Sequence, residues 1–216
     1  MKTRFFLFLC TALFVAIPLV RGQNQFSETV VVLKALYEDE TLAFYRYREY
    51  AKKAVKENYP NTAKLFTAFA LSESVHARNF RDVLSSLGAE AQEIPKPPIE
   101  VLDTKANLRI ACEAELEEIN NSYPQFIDKI RAENHAPAMR YITFAWESEK
   151  QHQNLIQRIL SGTGIFFRLL AKRIEEKPTD YFVCQSCGST RTRLPPETCP
   201  ICCGSPQKYR QIEVGE

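Results

Sequence analysis

Two copies of a Glu-x-x-His motif are the residues of this sequence best suited to chemistry: Glu73-Ser-Val-His76 and Glu149-Lys-Gln-His152. Residues three apart share one face of a helix, so each motif offers a carboxylate and an imidazole together. Such oxygen and nitrogen donors suit iron ions. For either motif alone, a pair on a helix surface is the competing interpretation. Two of the three histidines in the chain occur at this spacing, however, which favours a metal site.

A further acidic pair, Glu115 and Glu118, lies in a segment whose apolar residues Ile110, Ala114 and Ile119 recur at helical spacing. This pattern predicts that both carboxylates leave the helix on the side that faces the core. Buried carboxylates cost several kcal/mol unless they are paired or bound to metal. A solvated acidic face is the alternative for this helix taken alone.

The spacing of the acidic residues repeats along the chain. Glu40 and Glu73 are 33 residues apart, and Glu115 and Glu149 are 34 residues apart. The repeat indicates an internal duplication of a two-helix unit. It also resembles the ferritin-like carboxylate proteins, in which two helices supply a glutamate each and two supply Glu-x-x-His.

The elements that must position these residues are predicted to be helices. Apolar residues at three- and four-residue steps predict four of them, at about 26–56, 62–87, 103–133 (bent by Pro124) and 136–160. Prolines in residues 89–102 predict an extended crossover between the second and third. A short fifth helix, about 165–176, is predicted after two glycines. The fold class expected is therefore all-α, a four-helix bundle with one crossover.

The C-terminal tail carries two Cys-x-x-Cys motifs, Cys184 with Cys187 and Cys199 with Cys202, separated by eleven residues. Four thiolates at this spacing suit tetrahedral iron or zinc. Disulfides are the alternative for an exported chain. Cys203 leaves a spare thiol that could substitute for Cys202 as a ligand. Cys112 is most simply a small core residue.

The chain resembles the rubrerythrins over about residues 27–160 and again in the tail. The motifs that carry this resemblance are Glu40-x-x-Ala43-x-x-x-Tyr47, Glu73-x-x-His76, Glu115-x-x-Glu118 with Tyr123-Pro124, Glu149-x-x-His152, and Tyr181-Phe-Val-Cys184 through Gly188 with Cys199-Pro200. The resemblance implies a ferritin-like bundle followed by a small rubredoxin-like metal-binding domain. The bundle would hold two iron ions, and the four-cysteine site one iron, with zinc as the alternative. The implied metal ligands are Glu40, Glu73, His76, Glu115, Glu118, Glu149, His152, Cys184, Cys187, Cys199 and Cys202.

The resemblance also implies an activity, the reduction of hydrogen peroxide to water by a non-haem di-iron peroxidase. Glu118 would replace His76 on one iron as the redox state changes. Tyr47 and Tyr123 would hydrogen-bond ligand carboxylates, although core aromatics are an equal interpretation. An iron-oxidising storage protein is the alternative function.

Electrons would come from a donor protein such as a rubredoxin or its reductase and pass through the four-cysteine tail. In one extended chain, the tail is expected to lie far from the centre of its own bundle. Rubrerythrins pair the tail of one subunit with the bundle of another, so the resemblance implies at least a homodimer.

The net charge indicates which partners the protein can have, and the N-terminal segment indicates its location in the cell. Lys2, Arg4 and Arg21 leave a net charge of −1 for the residues after the first 22, which argues against nucleic acid as a partner. A basic start and an uncharged run from Phe5 to Val20 predict a signal peptide over residues 1–22 and a periplasmic protein. A membrane-anchored form is the alternative. The predicted domains are therefore 1–22, 23–176 (bundle) and 177–216 (four-cysteine domain).

Overall fold

The structure, a computed structural model, describes residues 25–160 and 178–213. It confirms the all-α bundle with a small C-terminal domain. The helices are α1 (Ser27–Lys56), α2 (Pro60–Ser86), α3 (Thr104–Glu117), α4 (Tyr123–Ile130) and α5 (Ala136–Leu160), and the strands are β1 (Phe182–Cys184), β2 (Thr190–Arg191) and β3 (Tyr209–Gln211). The predicted leader and fifth helix lie outside the described residues. Within those residues, no helix has the length and apolar character to cross a membrane.

The connections follow from local backbone chemistry. Asn58, at a φ of 60°, and Pro60 at the start of α2 make the tight turn that sets α1 beside α2. Gly88, at a φ of 70°, ends α2, and the proline-rich residues 89–103 then run without helix or strand. The Asp103 side chain caps α3 by accepting a hydrogen bond from the Ala106 N–H. The extended crossover is confirmed.

The bundle core consists of two apolar clusters, with the acidic residues between them. The largest fully buried side chains include Phe66, Phe69 and Leu108 in one cluster and Leu33, Phe80 and Ile142 in the other. Along α1, Glu40 lies between Leu36 of the second cluster and Ala43 of the first. The glutamates of α2, α3 and α5 fall between the clusters in the same way. The acidic site therefore lies within the length of the bundle, with an apolar layer on either side.

The predicted helix over residues 103–133 is helical from Thr104 to Glu133, but it is not one regular α-helix, because a π-helical turn at Glu118–Ser122 separates α3 from α4 near the expected bend. The Tyr123 N–H bonds to the Glu118 carbonyl, five residues back. The Ile119 carbonyl would need the next amide, but Pro124 has no N–H. The Trp146 indole of α5 donates to that carbonyl instead, at 2.9 Å. The proline thus changes the hydrogen-bond pattern of the turn before it.

The C-terminal domain is a three-stranded antiparallel sheet in the order β2-β1-β3. The domain contains two cysteine turns, the first over residues 184–188 and the second over residues 199–203. Both turns are closed by an equivalent backbone hydrogen bond. The Gly188 N–H donates to the Cys184 carbonyl, and the Cys203 N–H donates to the Cys199 carbonyl, both at 2.9 Å. Each turn therefore presents two thiols toward one point between the turns.

Candidate metal centres

Six side chains from four helices converge inside the bundle: Glu40 from α1, Glu73 and His76 from α2, Glu115 from α3, and Glu149 and His152 from α5. None of them is more than 4% exposed. The helical spacing of each Glu-x-x-His motif places its carboxylate and imidazole on the same inner face, as the sequence predicts.

These side chains form two overlapping groups of four. One group comprises Glu40, Glu73, His76 and Glu149, and the other comprises Glu73, Glu115, Glu149 and His152. The candidate ligand atoms of each group lie within 4.8 Å of one another. Glu73 and Glu149, the glutamates of the two Glu-x-x-His motifs, belong to both groups. They are therefore placed to bridge two ions, while each group has its own histidine.

Both histidines direct Nδ1 toward the carboxylates. The Nδ1 atom of His76 lies 3.0 Å from Glu73 Oε2, 3.1 Å from Glu149 Oε1 and 3.4 Å from Glu40 Oε2. The Nδ1 atom of His152 lies 2.9 Å from Glu149 Oε2 and 3.4 Å from Glu73 Oε1. The two imidazoles are thus arranged alike on the two groups, and their Nε2 atoms are left for other partners.

The donor set fits a pair of iron ions. Both carboxylate oxygens of Glu73, Oε2 of Glu115 and Oε1 of Glu149 are buried, and apart from the contacts of Glu73 and Glu149 with the histidine Nδ1 atoms they have no hydrogen-bond partner in the described protein. Buried polar atoms rarely remain without a partner, and unpaired buried charge is costly. Two cations bound among these oxygens and the two imidazole nitrogens would satisfy them. The chain therefore carries a carboxylate and histidine site of the di-iron type.

Ionisation in the metal-free chain is shaped by burial and by this crowding of charge. Burial raises the pKa of Glu40 to about 8, although His76 opposes the shift. Burial and the Glu149 carboxylate raise the pKa of Glu115. For His76 and His152, burial disfavours the charged ring, but the surrounding carboxylates outweigh it and raise the pKa of both. Without metal, the site therefore holds protons that bound cations would displace.

Tyr47 and Tyr123 each donate a hydrogen bond to one carboxylate of the site. The Tyr47 hydroxyl donates to Glu115 Oε1 at 2.5 Å, and the Tyr123 hydroxyl donates to Glu40 Oε1. Both rings are also buried members of the apolar clusters. The sequence left open whether the two tyrosines hydrogen-bond ligand carboxylates or pack as core aromatics, and in the structure they do both. Each phenol packs in the core and holds one carboxylate in place.

Glu118 stands apart from the two groups of four. It is half-buried at the start of the π-helical turn and is not among the close sets of ligand atoms. Burial raises the pKa of Glu118, and the carboxylates of Glu115 and Glu149 raise it further. The structure thus places Glu118 within electrostatic reach of the site and outside both groups. Its role as a metal ligand stays a prediction.

The four cysteines of the tail form a second centre. The Sγ atoms of Cys184 and Cys202 are 3.8 Å apart, and those of Cys187 and Cys199 are 3.6 Å apart. All four are free thiols at distances well beyond a disulfide bond of about 2.05 Å, so the disulfide alternative does not hold. Four clustered thiols suit a tetrahedral iron or zinc site. The geometry is that of a rubredoxin-like centre.

Cys202 and Cys203 are clearly distinguished. Cys202 contributes to the four-sulfur group, whereas Cys203 is exposed and has a φ of 57°. In the first cysteine turn, the equivalent position is Gly188, at a φ of 83°. Cys203 therefore occupies a left-handed position that favours glycine. Cys112, as expected, packs in the core beside Glu115.

The first cysteine turn contacts α2 at Ser72 and His76. Ser72 Oγ donates to the Gly188 carbonyl at 2.8 Å. A Cβ atom on Gly188 would overlap the His76 imidazole and lie 2.7 Å from Ser72 Oγ, so only glycine fits at this contact. Arg78 and Asn79 also donate to backbone carbonyls of this turn. The two candidate metal centres are therefore adjacent within one chain.

The Nε2 atom of His152 also faces the C-terminal domain. It lies 3.2 Å from Thr190 Oγ1, which in turn donates to the Gly188 carbonyl at 3.0 Å. Gln151 Oε1 accepts hydrogen bonds from the Thr190 N–H at 3.0 Å and from Ser189 Oγ at 2.9 Å. Sequence reasoning missed Ser72 and Thr190, because lone hydroxyl residues without a motif give no signal of a contact between domains.

The position of the tail differs from the one expected for an extended chain. Contacts of β1 with α2 and of β2 with α5 place the tail against the bundle of the same chain, so the expectation of a distant tail is wrong. Hydrogen bonds donated by Ser72, Arg78 and Asn79 satisfy turn carbonyls that would otherwise face apolar or charged surface. The homodimer itself stays a prediction.

Comparisons with known proteins agree with these two centres. The sequence profile of the rubrerythrin family matches residues 32–160. Rubrerythrin-2 of Clostridium acetobutylicum is 30% identical over 185 residues, which cover 84% of this chain and 95% of that protein. Nigerythrin of Nitratidesulfovibrio vulgaris is 29% identical over 177 residues, which cover 81% of each chain.

Solved structures show the same fold. A nigerythrin structure in a mixed-valence state has a TM-score of 0.71 at 23% identity and covers 93% of this chain and all 100% of its own. A bacterioferritin from Desulfovibrio desulfuricans has a TM-score of 0.67 at 19% identity but covers only 73% of this chain. The likeness to nigerythrin thus extends over more of the chain than the likeness to the ferritin-type bundle. With its profile match over more than half of the sequence, its relatives and its paired centres, the chain belongs to the rubrerythrin family.

Proposed function

We propose that the chain is a non-haem di-iron peroxidase that reduces hydrogen peroxide to two molecules of water. The reaction takes up two electrons and two protons and breaks the O–O bond. The observation that carries the proposal is the docking of Gly188, part of the four-cysteine domain, against His76 of the bundle site. A storage protein has no need of an electron-carrying centre in contact with its iron ligands. A peroxidase that must be reduced after each turnover does.

The two centres divide the redox work. Two ferrous ions held by the carboxylates and histidines of the bundle would supply the two electrons together, and an iron held by Cys184, Cys187, Cys199 and Cys202 would return electrons one at a time. The chain's own residues hold the carboxylates in place through this change of charge. Tyr47 and Tyr123 donate hydrogen bonds to Glu115 and Glu40 throughout.

Proton delivery falls to Glu118 in this proposal. The hydroxyl protons of Tyr47 and Tyr123 are already donated to carboxylates of the site. No hydrogen bond among the described residues holds the Glu118 carboxyl, and in the metal-free chain burial and then the carboxylates of Glu115 and Glu149 raise its pKa. A general acid typically contributes about 100-fold to 10,000-fold to a rate. We therefore assign Glu118 the role of proton donor to the departing oxygen, and once deprotonated its carboxylate would be free to serve as a metal ligand.

The test is peroxide consumption by the purified ferrous protein. Glu118→Ala should slow single-turnover oxidation by at least about 100-fold. Glu113→Ala is the matched control, because Glu113 is an exposed glutamate of α3, the helix that precedes Glu118. Equal rates for the wild type and Glu118→Ala would contradict the proton-donor role of Glu118, and a ferrous wild type that does not consume peroxide would contradict the peroxidase assignment.

Iron storage is the second candidate, and the likeness of the bundle to bacterioferritin favours it. The two functions differ in how much iron the protein holds. About three irons per chain, with the visible absorption of a ferric four-thiolate centre, supports the peroxidase. A mineral core of many irons per chain supports storage. Zinc in the cysteine site would leave the bundle without its electron relay.

The electron donor and the assembly also belong to the proposal. A small redox protein such as a rubredoxin, or its reductase, is the class of donor that a single-iron thiolate centre accepts. We propose a homodimer or higher homo-oligomer, to be tested by light scattering of the loaded protein. An obligate monomer with fast electron transfer between its own two centres would refute the dimer. The contact of Gly188 with Ser72 and His76 in the same chain allows such a monomer.

Export is proposed from the N-terminal sequence alone. The basic start and the apolar run of residues 1–22 support cleavage near Gln23 and a periplasmic location, with a membrane-anchored form as the alternative. N-terminal sequencing of the native protein distinguishes these forms. An intact Met1 in the soluble cytosolic fraction would exclude export.

A further inference from the structure

Tyr209, the first residue of β3, is half-buried against the cysteines of the tail. Its hydroxyl lies 3.1 Å from Sγ of Cys199 and 3.0 Å from Oγ of Ser189. Cys199 and Ser189 are both fully buried. The pairing of β3 with β1 sets Tyr209 opposite Cys184, so the backbone of the sheet fixes the position of the ring. The phenol is therefore built into the cysteine centre, although no sequence motif marks it.

The Tyr209 hydroxyl has one proton and two acceptors within reach, so it donates to one of them at a time. Ser189 Oγ donates its own proton to Gln151 Oε1 of α5 at 2.9 Å, which leaves its lone pairs to accept from Tyr209. The Tyr209 hydrogen bond can therefore move between Ser189 and Cys199 as the charge on the sulfur changes.

We propose that Tyr209 raises the reduction potential of an iron held by the four cysteines, by donating its hydrogen bond to the Cys199 sulfur in the reduced state. This role rests on iron as the metal of the cysteine site, as in the proposed function. Reduction adds one electron, and hence one negative charge, to the iron and its thiolates. Hydrogen bonds to charged acceptors are stronger than those to neutral ones, and hydrogen bonds to sulfur are among the factors that set such potentials. The phenol keeps its proton, so only the hydrogen bond moves.

Ser189 has the opposite effect, because it competes with Cys199 for the same proton. Gln151 of the bundle holds Ser189 in the orientation that accepts, since it takes the proton of the serine. Without Gln151, the Ser189 hydroxyl could turn and donate to the Tyr209 oxygen, which would leave the sulfur as acceptor. Gln151 Oε1 also accepts from the Thr190 N–H at 3.0 Å, so this contact belongs to the docked position of the C-terminal domain. Docking therefore lowers the potential, and a centre of lower potential gives its electron to the bundle more readily.

The test is a spectroelectrochemical titration of the full-length protein reconstituted with iron, followed through the ferric four-thiolate absorption. Tyr209→Phe removes the hydroxyl and keeps the ring. It should lower the equilibrium constant for reduction about tenfold, which for one electron is a fall in midpoint potential of about 59 mV. Ser189→Ala should shift the midpoint potential upward, because it removes the acceptor that competes with the sulfur.

Tyr181→Phe is the matched control. Tyr181 belongs to the same domain, but it packs in the apolar core of the bundle and not among the cysteines. Its loss of a hydroxyl should leave the potential unchanged. A general loosening of the centre would move Tyr209→Phe and Ser189→Ala in the same direction, so shifts of opposite sign identify the shared proton.

An unchanged potential in Tyr209→Phe would overturn the proposal, as would a fall in Ser189→Ala or an equal fall in Tyr181→Phe. The ferric absorption verifies that each variant assembles its centre. If Tyr209→Phe does not, Ser189→Ala decides alone, with a rise in support and any other result against. Peroxide consumption is measured on the same samples. Its absence alongside the expected shifts would contradict the peroxidase and leave the role of Tyr209 intact.

Discussion

The hydroxyl of Ser72 donates a 2.8 Å hydrogen bond to the carbonyl oxygen of Gly188, which joins α2 of the bundle to the first cysteine turn. The same carbonyl accepts a hydrogen bond from the Thr190 hydroxyl at 3.0 Å. Thr190 in turn contacts His152, and Ser72 lies 3.5 Å from Nε2 of His76. One backbone oxygen thus connects the cysteine turn with the outer edge of both imidazoles. Partners of this kind orient metal-binding histidines and tune their basicity.

Gly188→Ala should separate the two centres. The new Cβ would overlap the His76 imidazole, on a backbone whose φ of 83° already disfavours alanine. We expect the free energy of unfolding to fall by about 1–3 kcal/mol and electron transfer from the cysteine iron to the bundle to slow. Denaturant unfolding and stopped-flow reduction measure the two effects.

Gly88→Ala is the control for Gly188→Ala. Gly88 has a φ of 70°, but a Cβ atom added there would meet no other atom within 4 Å. The substitution should cost only the backbone strain, about 1–2 kcal/mol, and leave electron transfer unchanged. Slowed electron transfer in both variants would mean that the close contact with His76 is not the cause.

Tyr47→Phe and Tyr123→Phe should each loosen one side of the bundle site. Each removes the hydroxyl that holds a carboxylate, Glu115 or Glu40, while keeping the ring in the core. Loss of such a partner typically lowers metal affinity about 10-fold to 100-fold. Competition with a chelator measures this. Tyr50→Phe, an equally buried ring packed on Tyr47, should keep the affinity, and a similar loss there would point to packing instead.

Trp146→Phe should destabilise the π-helical turn. The indole N–H is the donor for the Ile119 carbonyl, which Pro124 leaves without a backbone partner. An unpaired carbonyl of this kind costs about 1–3 kcal/mol. Denaturant unfolding of the metal-free protein measures the loss. Unchanged stability would show that water can replace the indole at this position.

The metal-free protein should lose stability as pH rises. The pKa of Glu40 is about 8 in the folded chain against an ordinary 4.5, so between these values the unfolded state releases a proton that the folded state keeps. The raised pKa values of His76 and His152 act in the same direction, because their charged forms add stability below pH 6.5 that is lost as pH rises through the folded values. Glu149 acts in the opposite direction. Burial would raise its pKa, but the histidines outweigh this effect and lower it, so the stability contributed by its charged form is lost as pH falls below 4.5.

This pH dependence should reverse in the metal-loaded protein, because metal binding requires deprotonated ligands. Denaturant unfolding at about pH 6 and about pH 8.5 compares the two forms. Glu40→Gln should flatten the dependence of the metal-free chain, since it removes a group whose pKa differs between the folded and unfolded states. Equal stability of the metal-free wild type at both pH values would contradict the expected proton uptake.

Cys203→Gly should strengthen the C-terminal domain without affecting its metal. Cys203 has a φ of 57° and an exposed side chain, so glycine relieves about 1 kcal/mol of backbone strain. Cys202→Ser should abolish the ferric four-thiolate absorption, because Cys202 belongs to the four-sulfur group. Retained absorption in Cys202→Ser, lost on adding Cys203→Gly, would show that Cys203 replaces it as a ligand.

The bundle and the composition of both centres follow from patterns that are local in sequence. Helical periodicity carries Glu73 with His76, and Glu149 with His152, onto inner faces, because residues three apart share a helix face whatever surrounds them. The Cys-x-x-Cys turns are equally local, since each pair is brought together by its own backbone hydrogen bond. The proline crossover follows from the missing amide of proline.

Contacts between elements, in contrast, depend on tertiary packing. Glu73 and Glu149 enter both groups of ligand atoms because α2 and α5 face each other, which no periodicity reveals. The π-helical turn depends on Trp146 reaching Ile119 from 27 residues away in sequence. The contact of Gly188 with Ser72 joins two domains across 116 residues. Such contacts form only when completed elements pack together, whereas sequence patterns report only which face each element will bury.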